Sequence, residues 1–128
     1  MGLGPGDPAH RTRRADEVLA GAEVVVGYST YLDLVGDLLD GKRVVSSGMT
    51  QEVERCREAL RLAAEGKRVA LVSGGDPGVY GMAGLVLEMI PDPAPRDLSL
   101  EVVPGVTAAG AAAAALGAPL GHDFAAVS

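Results

Sequence analysis

The sequence predicts an α/β domain with a mainly parallel sheet flanked by helices. Short β-branched apolar runs alternate with longer segments whose apolar residues recur at helical spacing, which is the pattern of successive βα units. The apolar runs end in clusters of glycine, serine or proline, where the strands of an open sheet turn over into helices. The 128 residues are 48% hydrophobic but include only three Tyr, one Phe and no Trp, so the core must be aliphatic.

Taken in order, Met1–Pro8 is a glycine-rich turn, MGLGPGDP, with no strand before it. Thr12 can cap a helix that Gly21 ends. Val24–Val26 is a buried strand, with Gly27-Tyr28-Ser29-Thr30 as its exit turn. Tyr31–Leu39 reads as a helix carrying Leu34, Val35 and Leu38 on one face. Arg43–Val45 is a short strand. Thr50 is placed to cap a helix over Gln51–Glu65, whose apolar positions are Val53, Cys56, Leu60 and Ala63, with Gly66 as its C-terminal cap. Val69–Val72 is the central strand, and a helix runs from about Met82 to Ile90. Pro91–Pro95 is a stiff solvated loop. Leu100–Val103 is a further strand. Ala108–Leu116 is an alanine-rich helix whose small residues would let it pack closely on its neighbours. Phe124–Val127 opens another apolar segment. No internal repeat or domain boundary is visible, so residues 1–128 read as one domain that starts after its first strand.

Composition and charge exclude several function classes. The net charge is −6 and no block of Lys or Arg occurs, which argues against a nucleic-acid stripe and against an electrostatic membrane anchor. No apolar run reaches the roughly 18 residues of a membrane span. Cys56 stands alone, so neither a disulfide framework nor a cysteine metal site is expected, and no metal site is read elsewhere. With no signal peptide in view, a soluble cytoplasmic protein is the expectation.

Three loops carry the functional signal: Gly2–Asp7, Gly74–Gly81 and Pro104–Ala108. In a wound α/β sheet they can converge at one edge. They offer backbone amides and carbonyls, carboxylates and a hydroxyl, with no Lys or Arg. That inventory suits a nucleoside-like ligand without phosphate, since a phosphate site would want a Lys or a magnesium-binding Ser/Thr. A dinucleotide fingerprint is absent: the third glycine comes one place early, at Gly6, and the second strand ends without an acid.

At these loops (GLGPGDP, SGGDPGVYG and VPGVTAA, in that order) the chain resembles the tetrapyrrole methylases that use S-adenosylmethionine. Further likeness lies in Gly27–Leu32, Ser46–Thr50, Tyr80–Gly84 and Gly117–Phe124, GAPLGHDF. Within the family it points to the branch that acts on C(17) of precorrin-3B in cobalamin biosynthesis. The resemblance implies a two-domain α/β fold with the cofactor between the domains, this chain being the N-terminal one. It also implies a homodimer at full length. The reaction would be methyl transfer to a ring carbon of an anionic macrocycle, precorrin-3B or its cobalt analogue, coupled to ring contraction. By family position Pro5, Gly74, Gly75, Asp76, Val79, Thr107 and Ala108 would contact S-adenosylmethionine. The remaining contacts would come from the second domain, so this chain alone is expected to be inactive.

Each candidate also has a plainer role. Asp76 could accept hydrogen bonds from the ligand or cap the following helix. Thr107 could bond the ligand or cap the alanine-rich helix. Tyr28 and Tyr31 could face the macrocycle or sit half-buried in the core. His122 and Asp123 could move protons during ring contraction or belong to a hinge. Arg11, Arg13, Arg14, Lys42 and Arg43 could receive substrate carboxylates or be solvated surface charges. Other readings of the whole are a methylase for another ring position such as uroporphyrinogen, a non-enzymatic nucleoside-binding module, and an inactive fragment.

Overall fold

The computed structural model describes residues 1–127. Its sheet has three parallel strands in the order β2-β1-β3: β1 is Val24–Tyr28, β2 is Arg43–Ser47 and β3 is Val69–Leu71. In the register, Val25 lies between Val44 and Ala70. Side chains alternate across a strand, so Val25 points to one face while Val24 and Val26 point to the other. On the first face Val25, Ala70 and Val72 pack with Leu3, Leu19, Leu32 and Val35; on the second, Val24 and Val26 pack with Ala59 and Leu62. Both faces are covered at β1 and β3, as a parallel sheet requires, while the edge strand β2 stays largely exposed.

Among the described residues the α-helices are α1 (Arg13–Gly21), α2 (Ser29–Asp33), α3 (Glu52–Ala64), α4 (Ala83–Met89) and α5 (Ala108–Ala115). Thr12 caps α1 as expected, its hydroxyl accepting from the Ala15 amide at 3.2 Å. Gly66 ends α3 at φ +81, with its own amide bonded to Ala63 O and the Lys67 amide to Leu62 O. This paired closure needs a left-handed residue. Gly66→Ala is therefore expected to lower stability by about 1 kcal/mol, read as a fall in the urea midpoint at unchanged slope.

Several elements differ from the sequence reading. The Tyr31–Leu39 helix is instead α2, starting at Ser29, followed by a single 3₁₀ turn at Gly36–Leu38. Val35 leaves the helical region (φ −127) while its side chain stays buried, and Leu34 is exposed. Thr50 does not cap α3: it sits at φ +65, and its hydroxyl donates to Met49 O. Gln51 takes the cap position, and its side chain accepts from the Gly48 amide. The buried face of α3 is Arg55, Cys56, Ala59 and Leu62, which leaves Val53 exposed.

Leu100–Val103 is not a ladder strand. Among the described residues its tie to the sheet is one bond, from the Gly2 amide to Val103 O at 2.9 Å. The first turn does have an extended lead-in: the Met1 amine donates to Leu71 O, the Ser73 amide to Met1 O, and the Leu3 amide to Ser73 O. Met1–Leu3 thus runs between the exit of β3 and Val103. None of the residues of α5 is buried, so its alanines do not pack closely on neighbours within this chain. Phe124–Val127 is exposed and irregular. No helix is long and apolar enough to cross a membrane among the described residues.

Candidate functional site

The chain leaves β1 toward α2, on the first face. Beyond β3 it reaches α4, which packs with α3 on the second face. Neighbouring strands therefore exit to opposite faces, and the crevice that opens between their carboxyl ends is where open α/β sheets bind ligands. All three glycine loops arrive there. The Gly4 amide donates to Gly75 O at 3.1 Å, and the Gly75 amide donates back to Gly4 O at 2.7 Å.

Close backbone approach explains two of the glycines. A Cβ on Gly2 would stand 2.4 Å from Gly75 O, and one on Gly105 would stand 2.2 Å from the same oxygen. Gly75 also faces the start of α5, close to Thr107 and the Ala108 amide. The three loops are thus stacked with main chain against main chain.

Asp76 fastens the stack. Its Oδ2 accepts from the Gly105 amide at 2.9 Å and its Oδ1 from the Gly78 amide at 2.8 Å. It does not cap the following helix: α4 begins at Ala83 with no side-chain cap. Pro77 is buried beneath the turn, while Val79 and Tyr80 stand out on its rim, 46% and 69% exposed. Pro5 is exposed on the first loop, next to Gly4. Thr107 takes the N-cap position of α5 by its backbone, and its hydroxyl makes no cap bond.

Pro5, Gly74, Gly75, Asp76, Val79, Thr107 and Ala108 therefore lie on three loops that meet at one edge. These residues offer main-chain groups, one carboxylate, one hydroxyl and apolar side chains. They can hold an uncharged or cationic ligand through main-chain groups, and they include no Lys or Arg with which to grip a phosphate.

Next to the loops runs an aromatic wall. Tyr31 packs on Gly74, where a Cβ would come within 2.8 Å of the ring. Tyr31 meets Tyr28 edge to face at 5.4 Å, and the Arg55 guanidinium lies 5.9 Å from the Tyr28 ring centre. Both tyrosines are half-buried. His122 and Asp123 lie exposed in the irregular segment after Gly121.

The surface cations weighed for substrate carboxylates are already engaged. Arg11 pairs with Asp16, Arg13 with Glu17, Arg14 with Glu17 and Glu101, and Arg43 with Glu58. Arg14 hydrogen-bonding holds the Glu101 carboxyl below the usual carboxylate range. Lys42 donates to Ala20 O and Ala22 O and, with Arg43, marks the amino ends of the strands, away from the loops.

Arg55 is the residue the sequence reading missed. It is 5% exposed and holds the exit of β2, with Nε donating to Ser47 Oγ at 2.7 Å and Nη2 to Gly48 O at 2.8 Å. The available signal was its spacing from Cys56, Ala59 and Leu62, which puts a charge on the inner face of α3. Cys56 is core, as expected, and burial pushes its thiol up from the ordinary value. A cavity of about 610 Å³ runs along β3, lined by Ala22 and Val69 at one end and by Pro77 and Met82 at the other, so it reaches the second loop from below.

The family model for the Tetrapyrrole (Corrin/Porphyrin) Methylases matches residues 1–128. A probable cobalt-factor III C(17)-methyltransferase of Salmonella typhimurium is 50% identical over 128 residues, covering all of this chain and 53% of that protein. A precorrin-3B C(17)-methyltransferase of a Sinorhizobium species is 45% identical over 131 residues, covering all of this chain and 51% of that protein. Among solved structures, the methyltransferase CobJ superposes with a TM-score of 0.89 at 41% identity, over 98% of this chain and 53% of that one. A uroporphyrin-III C-methyl transferase from Thermus thermophilus, complexed with S-adenosylhomocysteine, superposes at 0.67 with 33% identity, over 96% of this chain and 52% of that one. The chain spans about half the length of these proteins. With its whole length matched, the chain belongs to the tetrapyrrole (corrin/porphyrin) methylases.

Proposed function

We propose that this chain is the N-terminal, cofactor-loop domain of an S-adenosylmethionine-dependent methyltransferase. Its acceptor is C(17) of precorrin-3B or its cobalt analogue, and the transfer is coupled to ring contraction in cobalamin biosynthesis. The observation that carries this reading is the stack of three glycine loops, closed by Asp76, in a chain similar along its length to C(17)-methyltransferases. The 45–50% identity to proteins named as C(17)-methyltransferases, against 33% to the uroporphyrin-III enzyme, favours the C(17) acceptor over uroporphyrinogen.

The donor set fits the cofactor. S-adenosylmethionine supplies an electrophilic methyl on a sulfonium and also carries an ammonium, and both cations suit a surface with one carboxylate and no Lys or Arg. Main-chain groups of Gly74, Gly75, Thr107 and Ala108 would hold it, with Pro5 and Val79 at its sides. Direct methyl transfer needs the donor and the acceptor carbon held in line more than it needs acid–base groups, so positioning carries most of the rate. Tyr28 lines the acceptor side, and His122 and Asp123 supply proton chemistry for the contraction. A second domain completes the cleft, and the full-length enzyme works as a cytoplasmic homodimer with no nucleic-acid or membrane partner.

The test is product analysis with precorrin-3B and methyl-labelled cofactor, using a form extended to the family's full length. Label at C(17) is expected. Label at another ring carbon, or none, overturns the assignment.

A further inference from the structure

Arg55 is a buried cation whose partners are all neutral. Beyond Ser47 and Gly48, it reaches Met82 Sδ at 3.7 Å, and among the described residues no carboxylate pairs with it. Its helix neighbours differ: Arg57 pairs with Glu54, and Arg61 with Glu58 and Glu65. A guanidinium taken out of water is costly to leave without an anion. Of its five N–H groups, three meet the acceptors named here, and one of those is a weak sulfur acceptor. The group sits at the carboxyl ends of the strands, at the end of the wall that runs from Gly74 through Tyr31 and Tyr28.

The geometry points to Arg55 as the seat for one carboxylate of the acceptor substrate, fixing how the macrocycle lies across Tyr28 and Tyr31. This rests on the proposed reaction for the polyanionic character of the acceptor. The incoming carboxylate takes the place of Met82 Sδ on Nη1 and uses a spare N–H of the fork. Met82 is half-buried, unbranched and able to turn aside. Nε and Nη2 stay on Ser47 and Gly48, so the guanidinium is held in place before the substrate arrives. In a chain of net charge −6, a polyanion needs a local cation, and a guanidinium in a low-dielectric setting attracts it more strongly than a paired surface arginine does.

The test uses the full-length form with Arg55→Met and Arg55→Lys. Three quantities are measured: KM for precorrin-3B, Kd for S-adenosylhomocysteine, and Kd for uroporphyrin III and its methyl ester as stable tetrapyrrole probes. Arg55→Met should weaken precorrin-3B and uroporphyrin by about 30-fold, as expected for losing a charge-assisted pair. Binding of S-adenosylhomocysteine should change less than about twofold, and the methyl ester should bind wild type and variant alike, since no ion pair remains to lose. Arg55→Lys keeps the charge without the planar fork and should fall between, which keeps the test open if the methionine variant does not fold.

Unchanged acceptor affinity overturns the inference. So does an equal loss for acid, ester and S-adenosylhomocysteine, which would mark a purely structural arginine. If wild type methylates precorrin-3B and Arg55 proves neutral, this inference alone falls. If wild type does not methylate precorrin-3B but binds uroporphyrin through Arg55, the reaction assignment alone falls. If wild type binds neither tetrapyrrole, both fall.

Discussion

Gly105→Val is expected to abolish S-adenosylhomocysteine binding by the full-length form and to cost about 3 kcal/mol or more of stability. The new Cβ would lie 2.2 Å from Gly75 O and 3.1 Å from Gly2, and every atom it meets there is backbone. Those atoms cannot step aside one at a time. Gly75 exchanges two hydrogen bonds with Gly4, and the Gly2 amide is bound to Val103 O. Relief must come from moving the third loop away from the other two, which opens the stack. Gly84→Ala is the matched control: its Cβ meets nothing within 4 Å, and it lies inside α4. It should leave binding unchanged and raise stability by about 0.5–1 kcal/mol. Calorimetric titration and urea unfolding of both variants give the comparison. Affinity within threefold of wild type for Gly105→Val would show that the stack is not needed.

Asp76→Asn should weaken cofactor binding by about tenfold or more and cost about 2 kcal/mol, since two charge-assisted bonds to main-chain amides are disturbed. Asparagine keeps the shape of aspartate but has one oxygen and one NH₂. Asp76 accepts through both oxygens, from Gly78 and Gly105, so in the variant one of these amides faces another donor. Loss of the Gly105 bond opens the latch between the second and third loops, loss of the Gly78 bond loosens the turn that carries it, and in either case the negative charge of Asp76 is gone. Asp76→Asn should therefore resemble Asp76→Ala. A variant that unfolds like wild type and binds S-adenosylhomocysteine like wild type would contradict the latch.

Much of this was legible in the residues. The strand cores at Val24–Val26, Arg43–Val45 and Val69–Val72 stood out as short apolar runs, most clearly in β1, because a strand covered on both faces is apolar on both. The ladder runs past the first two into Gly27-Tyr28 and Ser46-Ser47, whereas the third stops at Leu71 and is not the central strand: β1 stands between it and β2. The three loops were legible because main-chain stacking admits glycine and little else, so the demand appears directly in residue type. Thr12 was found as a cap because capping is a local rule.

What stayed hidden depends on distant partners. Leu100–Val103 looks like a strand by composition, yet a ladder needs a facing strand, and what it has is a single bond from Gly2. The alanines of α5 promise close packing without naming a surface, and none is buried. Thr50 lost the cap to Gln51 because the Ser47–Thr50 turn is shaped by Arg55 and the Gln51 side chain. Arg55 itself was passed over because a charge on a helix is ordinarily solvent-facing. The face that buries it is recognised only when Cys56, Ala59 and Leu62 are taken as the inner stripe.

The central claim is that three glycine loops, latched by Asp76, form one half of an S-adenosylmethionine site. Calorimetric titration of S-adenosylhomocysteine into the full-length form and into residues 1–128 tests it most directly. The account predicts stoichiometric binding by the full-length form, lost in Gly105→Val, and little or no heat from the shorter chain, whose loops supply only part of the contacts. No binding by the full-length form, or binding that Gly105→Val leaves intact, would contradict it.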